Sequence, residues 1–219
     1  MSTHTIAVIG GTGPQGKGLG YRFAKHGHAV VIGSRSAEKA VPVAEEIAER
    51  GVSGAVTGAA NPDAVAQADV VLLAVPYDGH DELVETLDLA GKIVISCVNP
   101  LAFGPGGPVG RPVDGGEGSA AESAQRLAPE ARVVGAFHHV AAASLWSDEE
   151  YLDHEDVLVC GDDAEAKELV KELAATVTSH VGVDAGKLRI ARQLEPWTAV
   201  LININKAYKT RSGIKITGI

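Results

Sequence analysis

A glycine-rich turn close to the N-terminus constrains the fold of this chain more than any other feature. Gly11, Gly13 and Gly16 give the spacing GxGxxG between the apolar run 5–9, which predicts a strand, and a segment of helical periodicity over 16–26. In that setting the glycines permit a tight turn, close backbone approach to a pyrophosphate, and packing of the helix on the strand. Free N–H groups and the dipole at the helix start favour a phosphate. The turn therefore predicts a dinucleotide site; a glycine-rich turn without ligand is the alternative.

Beyond this turn, short apolar runs alternate with segments of helical periodicity. The apolar runs predict further strands over 29–32, 52–57, 70–76, 92–98 and 132–140. The segments between them predict helices over 37–50, 62–68, 81–89 and 119–127, with Pro42 in or near a first turn. Nearly continuous apolar strands are typical of a parallel sheet that is covered on both faces. Residues 100–118 contain seven Gly and four Pro and predict a long loop beside the site, with no regular element.

The pattern changes after residue 145. A strand over 157–160 and a helix over 164–179, capped by Asp162 or Asp163, precede a last helix over 189–208 with a kink at Pro196. We therefore expect an α/β chain: a Rossmann-type parallel-sheet domain over 1–145 and a small C-terminal α/β lobe over 146–219. The last helix has an apolar stripe at helical spacing, which favours packing at an interface.

The net charge of −9 disfavours nonspecific binding to nucleic acid or to an anionic membrane. The charge is uneven, because the segment from residue 187 onward carries seven basic residues and one acidic one. That segment is either a solvated basic helix or a docking face for an anionic ligand. The two cysteines, Cys97 and Cys160, lie in apolar runs and predict buried free thiols. The apolar runs are too short to span a bilayer, so we expect a cytoplasmic protein.

The end of the second predicted strand indicates which dinucleotide binds. An NAD site would place Asp or Glu here, and none is present. Ser34 offers a hydrogen bond and Arg35 a charge-assisted pair for a 2′-phosphate, while Lys39 adds a positive charge one helical turn further on. The residues predict NADP(H); an exposed pair of cations on a loop is the alternative.

Strand ends further along the chain point to the nicotinamide half of the site. Val75 and Asn99 end the fourth and fifth predicted strands, where ligands bind in open α/β sheets, and Gly79 allows a ring to approach. Ordinary strand-ending turns are the competing interpretation. His138 and His139 face opposite ways on a strand, which excludes a shared metal ion. One of them is expected to bind a second substrate or to be structural. We find no metal-ligand spacing, catalytic triad or tyrosine–lysine dyad.

The motifs together resemble those of the coenzyme F420-dependent NADP reductases. The resemblance begins with Ile9-Gly10-Gly11-Thr12-Gly13, Gly16-Lys17-Gly18, Gly33-Ser34-Arg35 and Lys39. It continues in order through Val75-Pro76, Asn99-Pro100-Leu101, Ala136-Phe137-His138, Val159-Cys160-Gly161-Asp162-Asp163, Asp184-Ala185-Gly186 and Gly213-Ile214-Lys215. It thus covers essentially the whole chain. The first motifs are shared with other NADP-binding domains, including relatives among ferric reductases, and the later ones are more specific.

The resemblance implies hydride transfer between NADP(H) and an 8-hydroxy-5-deazaflavin, coenzyme F420, by a homodimer. It implies that NADP(H) binds at Thr12, Gly13, Pro14, Gln15, Ser34, Arg35, Lys39, Val75, Gly79, Asn99 and Ala142. It implies that the deazaflavin binds against the second lobe near His138, Val140, Arg192 and Ser212, with its phosphate and polyglutamate tail suited to the basic C-terminal segment. Hydride transfer needs orientation of two rings more than acid–base groups. An NADP(H)-dependent flavin or ferric reductase and a non-catalytic NADP(H)-sensing module are the alternatives.

Overall fold

The computed structural model describes residues 2–113 and 118–219. The strands are β1 (Thr5–Ile9), β2 (Ala29–Ser34), β3 (Val56–Ala60), β4 (Val70–Leu73), β5 (Ile93–Ser96), β6 (Leu101–Gly104), β7 (Gly107–Gly110), β8 (Arg132–Gly135), β9 (Leu158–Gly161) and β10 (Val183–Gly186). The helices are α1 (Pro14–Lys25), α2 (Ala37–Ala48), α3 (Asn61–Ala66), α4 (His80–Glu85), α5 (Ala120–Leu127), α6 (Ala142–Leu145), α7 (Ala164–Thr178) and α8 (Ala191–Tyr208).

One eight-stranded sheet organises the fold, in the order β10-β9-β8-β5-β4-β1-β2-β3. The six strands from β3 to β8 run parallel, and this is the strand order of a doubly wound dinucleotide-binding fold. Ile9 pairs with both Gly33 and Leu73, and Leu73 pairs with Ser96, so the carboxyl ends of β1, β2, β4 and β5 meet at one edge. The predicted Rossmann-type α/β fold is confirmed.

Both faces of the sheet are covered by helices, which explains the nearly continuous apolar strands. In β1, Ile6 and Val8 pack into one core with α1, α2 and α7, while Ala7 and Ile9 pack into a second core with α3, α4 and α5. Successive side chains of a strand point to opposite faces, so a strand buried on both sides has no polar positions.

The C-terminal strands belong to the same sheet as the N-terminal ones. β9 runs antiparallel to β8, and β10 runs parallel to β9 at the edge. The predicted strand over 157–160 and the helix over 164–179 are confirmed within a residue, and Asp163 is the cap, since its carboxylate accepts from Ala166 N at 2.8 Å. β10 and the single-turn helix α6 were not predicted. The division of the chain at residue 145 stays a prediction.

The prediction of a loop without regular structure over 100–118 was wrong. β6 and β7 form an antiparallel hairpin with Pro105 and Gly106 between them, a pair that suits a tight turn. The hairpin packs flat on α8, because a Cβ on Gly110 would lie 2.6 Å from Cβ of Pro196. Glycine therefore serves close packing here rather than an irregular chain. Residues 114–117 of that segment lie outside the described residues.

Two prolines lie inside helices. Pro42 is the sixth residue of α2 and so lies beyond its first turn, and Pro196 lies inside α8. Within the described ranges, no helix combines the length and apolarity that crossing a bilayer requires. The cytoplasmic location stays a prediction.

Candidate active site

A cleft of about 550 Å³ opens at the carboxyl edge of the sheet. Its walls come from the start of α1, the ends of β4 and β5, the segment that follows β8, and α8 with the residues after it. Nine of the fifteen predicted site residues line it: Gly13, Pro14, Gln15, Val75, Asn99, His138, Val140, Ala142 and Ser212. Thr12, Ser34, Arg35, Lys39, Gly79 and Arg192 do not line this cleft.

The glycine turn leads into α1 as the sequence predicts. A Cβ on Gly11 would lie 2.8 Å from Val8 O, and one on Gly16 would lie 2.7 Å from Gly10 O, so protein packing demands glycine at both positions. Gly13 differs, because a Cβ there would meet only Gly10 O, at 3.4 Å. Gly13 caps α1, and no side chain caps the first turn. Gly13, Pro14 and Gln15 line the cleft, so the N-terminus of α1 faces it, as a pyrophosphate site requires.

The predicted phosphate-selecting residues lie beside this turn. Ser34 ends β2 and is buried, whereas Arg35, in the turn that follows, and Lys39, in the first turn of α2, are exposed. Thr12 is also exposed, in the turn itself. These four residues are therefore grouped around the carboxyl ends of β1 and β2, outside the main cleft.

The ends of β4 and β5 form the floor of the cleft. Val75 and Asn99 line it, as does Cys97, whose thiol donates to Leu73 O at 3.3 Å. Burial raises the pKa of Cys97 to about 12, so this thiol is not a nucleophile. Gly79 lies further out, with φ +79 at the start of α4, a conformation that favours glycine.

His138 is held at the opposite wall by its backbone. Its carbonyl accepts from Asn99 Nδ2 at 2.9 Å and from Thr198 Oγ1 at 2.6 Å, which joins β5 and α8 at the cleft. Its ring is 2% exposed. Burial, and then the neighbouring His139, lowers the pKa of His138 to about 3, so the ring is neutral at physiological pH.

Several buried polar atoms on residues of the cleft lining have no hydrogen-bond partner among the described residues. They are both ring nitrogens of His138, Oδ1 of Asn99 and Oγ of Ser212. An unpaired buried polar atom costs about 1–3 kcal/mol. Four such atoms on residues of one cleft are a concentration of unpaired polar groups that is typical of a binding site.

His138 and His139 both line the cleft, but they lie in a turn, because β8 ends at Gly135 and the predicted strand over 132–140 was too long. The ring of His139 is engaged by the backbone, since its Nε2 lies 2.8 Å from Asp156 O. Within residues 2–113 and 118–219, no group of three or more His, Cys, Asp or Glu side chains could hold a metal ion.

Arg192 is engaged elsewhere. Its Nε and Nη2 each donate to the Glu122 carboxylate at 2.8 Å, which joins α8 to α5. This pair, and then hydrogen bonding from Ser119, holds the pKa of Glu122 below its ordinary value despite partial burial. The role of Arg192 toward the deazaflavin stays a prediction.

Sequence reasoning missed the part of the cleft lining that comes from the C-terminal helix. The missed residues lie on α8 and just after it, with one more after β4, and they are Ala74, Thr198, Leu201, Ile202, Asn205 and Arg211. One signal was available, since Thr198 and Asn205 lie at helical spacing with Leu201, a member of the apolar stripe. Arg211 places a cation at the cleft, and no spacing in the sequence indicates that position.

Comparison with known proteins identifies the same family that the sequence motifs resemble. The model of the family described as "NADP oxidoreductase coenzyme F420-dependent" matches residues 5–100. The F420-dependent NADP reductase of Methanocaldococcus jannaschii is 39% identical, with 98% of both chains covered. That of Methanothermobacter thermautotrophicus is 41% identical over 98% of this chain and 95% of the relative. A solved Arthrobacter structure, described as a candidate F420-dependent NADP reductase, is 30% identical with a TM-score of 0.79, covering 98% and 100% of the two chains.

Proposed function

The chain belongs to the coenzyme F420-dependent NADP oxidoreductase family, and from that premise we propose that it transfers a hydride between NADP(H) and coenzyme F420. The observation that carries the proposal is the cleft itself. One end is the N-terminus of α1, whose first turn no side chain caps, and the opposite wall holds His138 and Ser212, which have unpaired polar atoms. A phosphate-binding end and a polar ring-binding end in one cleft are what an enzyme needs to bring two ring systems together.

NADP(H) is assigned to the end formed by β1, β2, β4 and β5. The pyrophosphate binds at Thr12, Gly13, Pro14 and Gln15, and the 2′-phosphate binds at Ser34, Arg35 and Lys39. The nicotinamide half binds at Val75, Gly79, Asn99 and Ala142. The support is the space beside Gly13, where a Cβ would meet only Gly10 O, the two exposed cations that follow β2, and the unpaired Oδ1 of Asn99.

The deazaflavin is assigned to the opposite wall, near His138, Val140, Arg192 and Ser212. The neutral, unpaired ring of His138 accepts or donates a hydrogen bond but carries no charge, which suits an uncharged ring system. Arg211 lines the cleft, and Lys206 and Lys209 lie close by in the chain at the end of α8. These cations suit the phosphate and polyglutamate tail of F420, so the basic C-terminal segment is a docking face for an anion.

The chain's own residues orient the reactants and exclude water, and no side chain is required to move a proton. Bound NADP(H) and F420 supply the redox chemistry. Small residues, Ala141, Ala142 and Ala143, form part of the wall where the two rings meet. Their short side chains leave room for close approach of the reacting carbons.

A second copy of this chain is proposed to cover the apolar surface formed by the hairpin and α8. Phe103 is 75% exposed and Trp197 is 49% exposed. The two elements are joined, since Asn203 Nδ2 donates to Pro108 O at 2.9 Å. Exposed apolar side chains grouped on adjoining elements are typical of an interface. Two copies that pack through this surface form a homodimer.

The direct test mixes the protein with NADPH and oxidised F420 and follows the visible absorbance of the deazaflavin. Loss of that absorbance at a rate proportional to enzyme concentration is expected. In parallel reactions, a flavin or a ferric complex replaces F420 as the acceptor. Activity with a flavin or iron alone identifies the reductase alternative, and NADPH binding without any turnover identifies a sensing module.

A further inference from the structure

Arg22 is the largest fully buried side chain of the described residues, and it lies outside the cleft. It belongs to α1, the helix whose N-terminus faces the cleft, and it is 0% exposed. Burying a guanidinium is costly unless every donor is paired. Burial lowers the pKa of Arg22 from its ordinary value, yet arginine stays protonated in proteins. A charge retained at such a cost calls for a structural reason.

All five N–H donors of Arg22 are used, and they converge on one segment. They reach Leu145 O (2.8 Å, from Nε), Glu149 O (2.6 Å) and Glu150 O (3.0 Å, both from Nη1), and Ser144 O (3.0 Å) and Ser147 Oγ (3.1 Å, both from Nη2). Two of these carbonyls, on Ser144 and Leu145, lie at the C-terminal end of α6, where Ser144 O also accepts from Ser147 N at 3.1 Å. Arg22 thus closes the C-terminal end of α6 from a neighbouring helix.

The other end of α6 forms the cleft wall. Ala141, Ala142 and Ala143 line the cleft, one turn before the carbonyls that Arg22 binds. α1 also contacts this segment at Gly18, where a Cβ would lie 2.6 Å from Cβ of Leu145. Gln15 adds a third contact, since Nε2 donates to Phe137 O at 3.2 Å. One face of α1 therefore touches the segment that carries the wall at three successive turns.

We propose that Arg22, with the close contact at Gly18, is a positioning residue that sets the distance between α1 and α6 and so the width of the cleft in which the two rings meet. The inference rests on the proposed function. α1 fixes the nucleotide through its N-terminus, and α6 fixes the wall. Arg22 makes the two a single unit, so that the space for hydride transfer does not vary.

Lysine cannot reproduce this arrangement, because one ammonium with three donors cannot reach acceptors that surround a planar group. Arg22→Lys is therefore expected to let α6 move while the turn at Gly13 stays intact. Misplacement of reacting groups by about 1 Å costs up to a hundredfold in rate. We expect the single-turnover rate of hydride transfer to F420 to fall about ten- to a hundredfold, with the Kd for NADPH unchanged within twofold.

The matched control is Lys25→Met. Lys25 lies on the same helix and donates to Glu149 O at 3.3 Å, but it is partly exposed and pairs with Glu150 at 2.9 Å. The Lys25→Met variant should transfer hydride at the same rate as the unaltered protein. A transfer rate in folded Arg22→Lys within twofold of the unaltered protein overturns the proposal, as does a parallel loss of NADPH affinity, which would indicate a general structural role.

If Arg22→Lys does not fold, Gly18→Ala tests the same distance with the guanidinium in place. The added methyl must push Leu145 away, and the same loss of transfer rate at constant NADPH affinity is expected; an unchanged rate refutes the idea. If the unaltered protein transfers no hydride to F420, the proposed function fails instead. Hydrogen exchange with NADPH bound then decides on Arg22: faster exchange confined to residues 141–147 in either variant supports its role, and unchanged exchange overturns it.

Discussion

The cations at the end of β2 give the sharpest prediction about nucleotide choice. Arg35→Ala is expected to weaken NADPH binding and to leave NADH binding unchanged, because only NADPH carries the 2′-phosphate. Arg35 and Lys39 are exposed, and Ser34 beside them is buried at 7% exposure. The buried serine is fixed in place, while the two cations contribute from solvent.

The magnitude follows from that exposure. A hydrogen bond to a charged group contributes about 1.5–3 kcal/mol, and an exposed pair falls at the low end because water and salt screen it. About 1.5 kcal/mol corresponds to roughly a tenfold rise in Kd for NADPH. Lys39 adds at most about 1 kcal/mol as an exposed cation, so Arg35→Ala/Lys39→Ala should lose roughly sixtyfold.

The assay is a titration of each variant with NADPH and with NADH, followed by nucleotide fluorescence at low and at high salt. The loss for NADPH should shrink as salt rises, because the interaction is exposed. Arg189→Ala removes an exposed arginine far along the chain and serves as the control. Equal losses for NADPH and NADH in Arg35→Ala would refute the assignment of this residue to the 2′-phosphate.

Three further predictions concern the rest of the molecule. Arg211→Ala should raise the KM for F420 severalfold at low salt, less at high salt, and leave the Kd for NADPH unchanged, because Arg211 lines the cleft beside Ser212. Burial, and then the nearby Glu149, raises the pKa of Glu155 to about 7 from its ordinary 4.5. The free energy of unfolding should therefore fall by at most about 3 kcal/mol between pH 4.5 and 7, and Glu155→Gln should abolish that fall. Phe103→Ser combined with Trp197→Ser should convert a homodimer to monomer in analytical ultracentrifugation.

The sign of the Glu155 effect comes from its raised pKa. The folded protein holds this proton more tightly than the unfolded chain, so the stabilisation is complete below pH 4.5 and is lost as the pH rises through about 7. If the stability of Glu155→Gln had the same pH profile as that of the unaltered protein, this explanation would be contradicted.

For the interface, Val181→Ser is the control, since Val181 is 57% exposed and lies outside the hairpin and α8. For Arg211→Ala, a change in the KM for F420 that does not depend on the salt concentration would contradict an electrostatic role.

Local patterns predicted the nucleotide half of the fold well. Gly11, Gly13 and Gly16 fixed the turn after β1, and the ends of β4 and β5 brought Val75 and Asn99 to the cleft. These predictions held because each depends on neighbours in the chain and on the general geometry of parallel sheets.

The other half depends on contacts between distant segments. Thr198 and Arg211 reach the cleft only because α8 packs across the end of the sheet, and Arg192 forms an ion pair with Glu122, seventy residues earlier. The hairpin was missed because its glycines, read as loop formers, allow β7 to lie against α8. β10 is short and contains Asp184, so its apolar signal is weak. Only tertiary packing determines such features.

The central claim is direct hydride transfer between two molecules bound in this cleft. The measurement that tests it uses NADPH with deuterium at the transferable position of the nicotinamide, oxidised F420 and the protein in ordinary water. The account predicts that F420 is reduced and that the deuterium is found on carbon in the reduced deazaflavin. F420 that stays oxidised, or deuterium that is released to water, would contradict it.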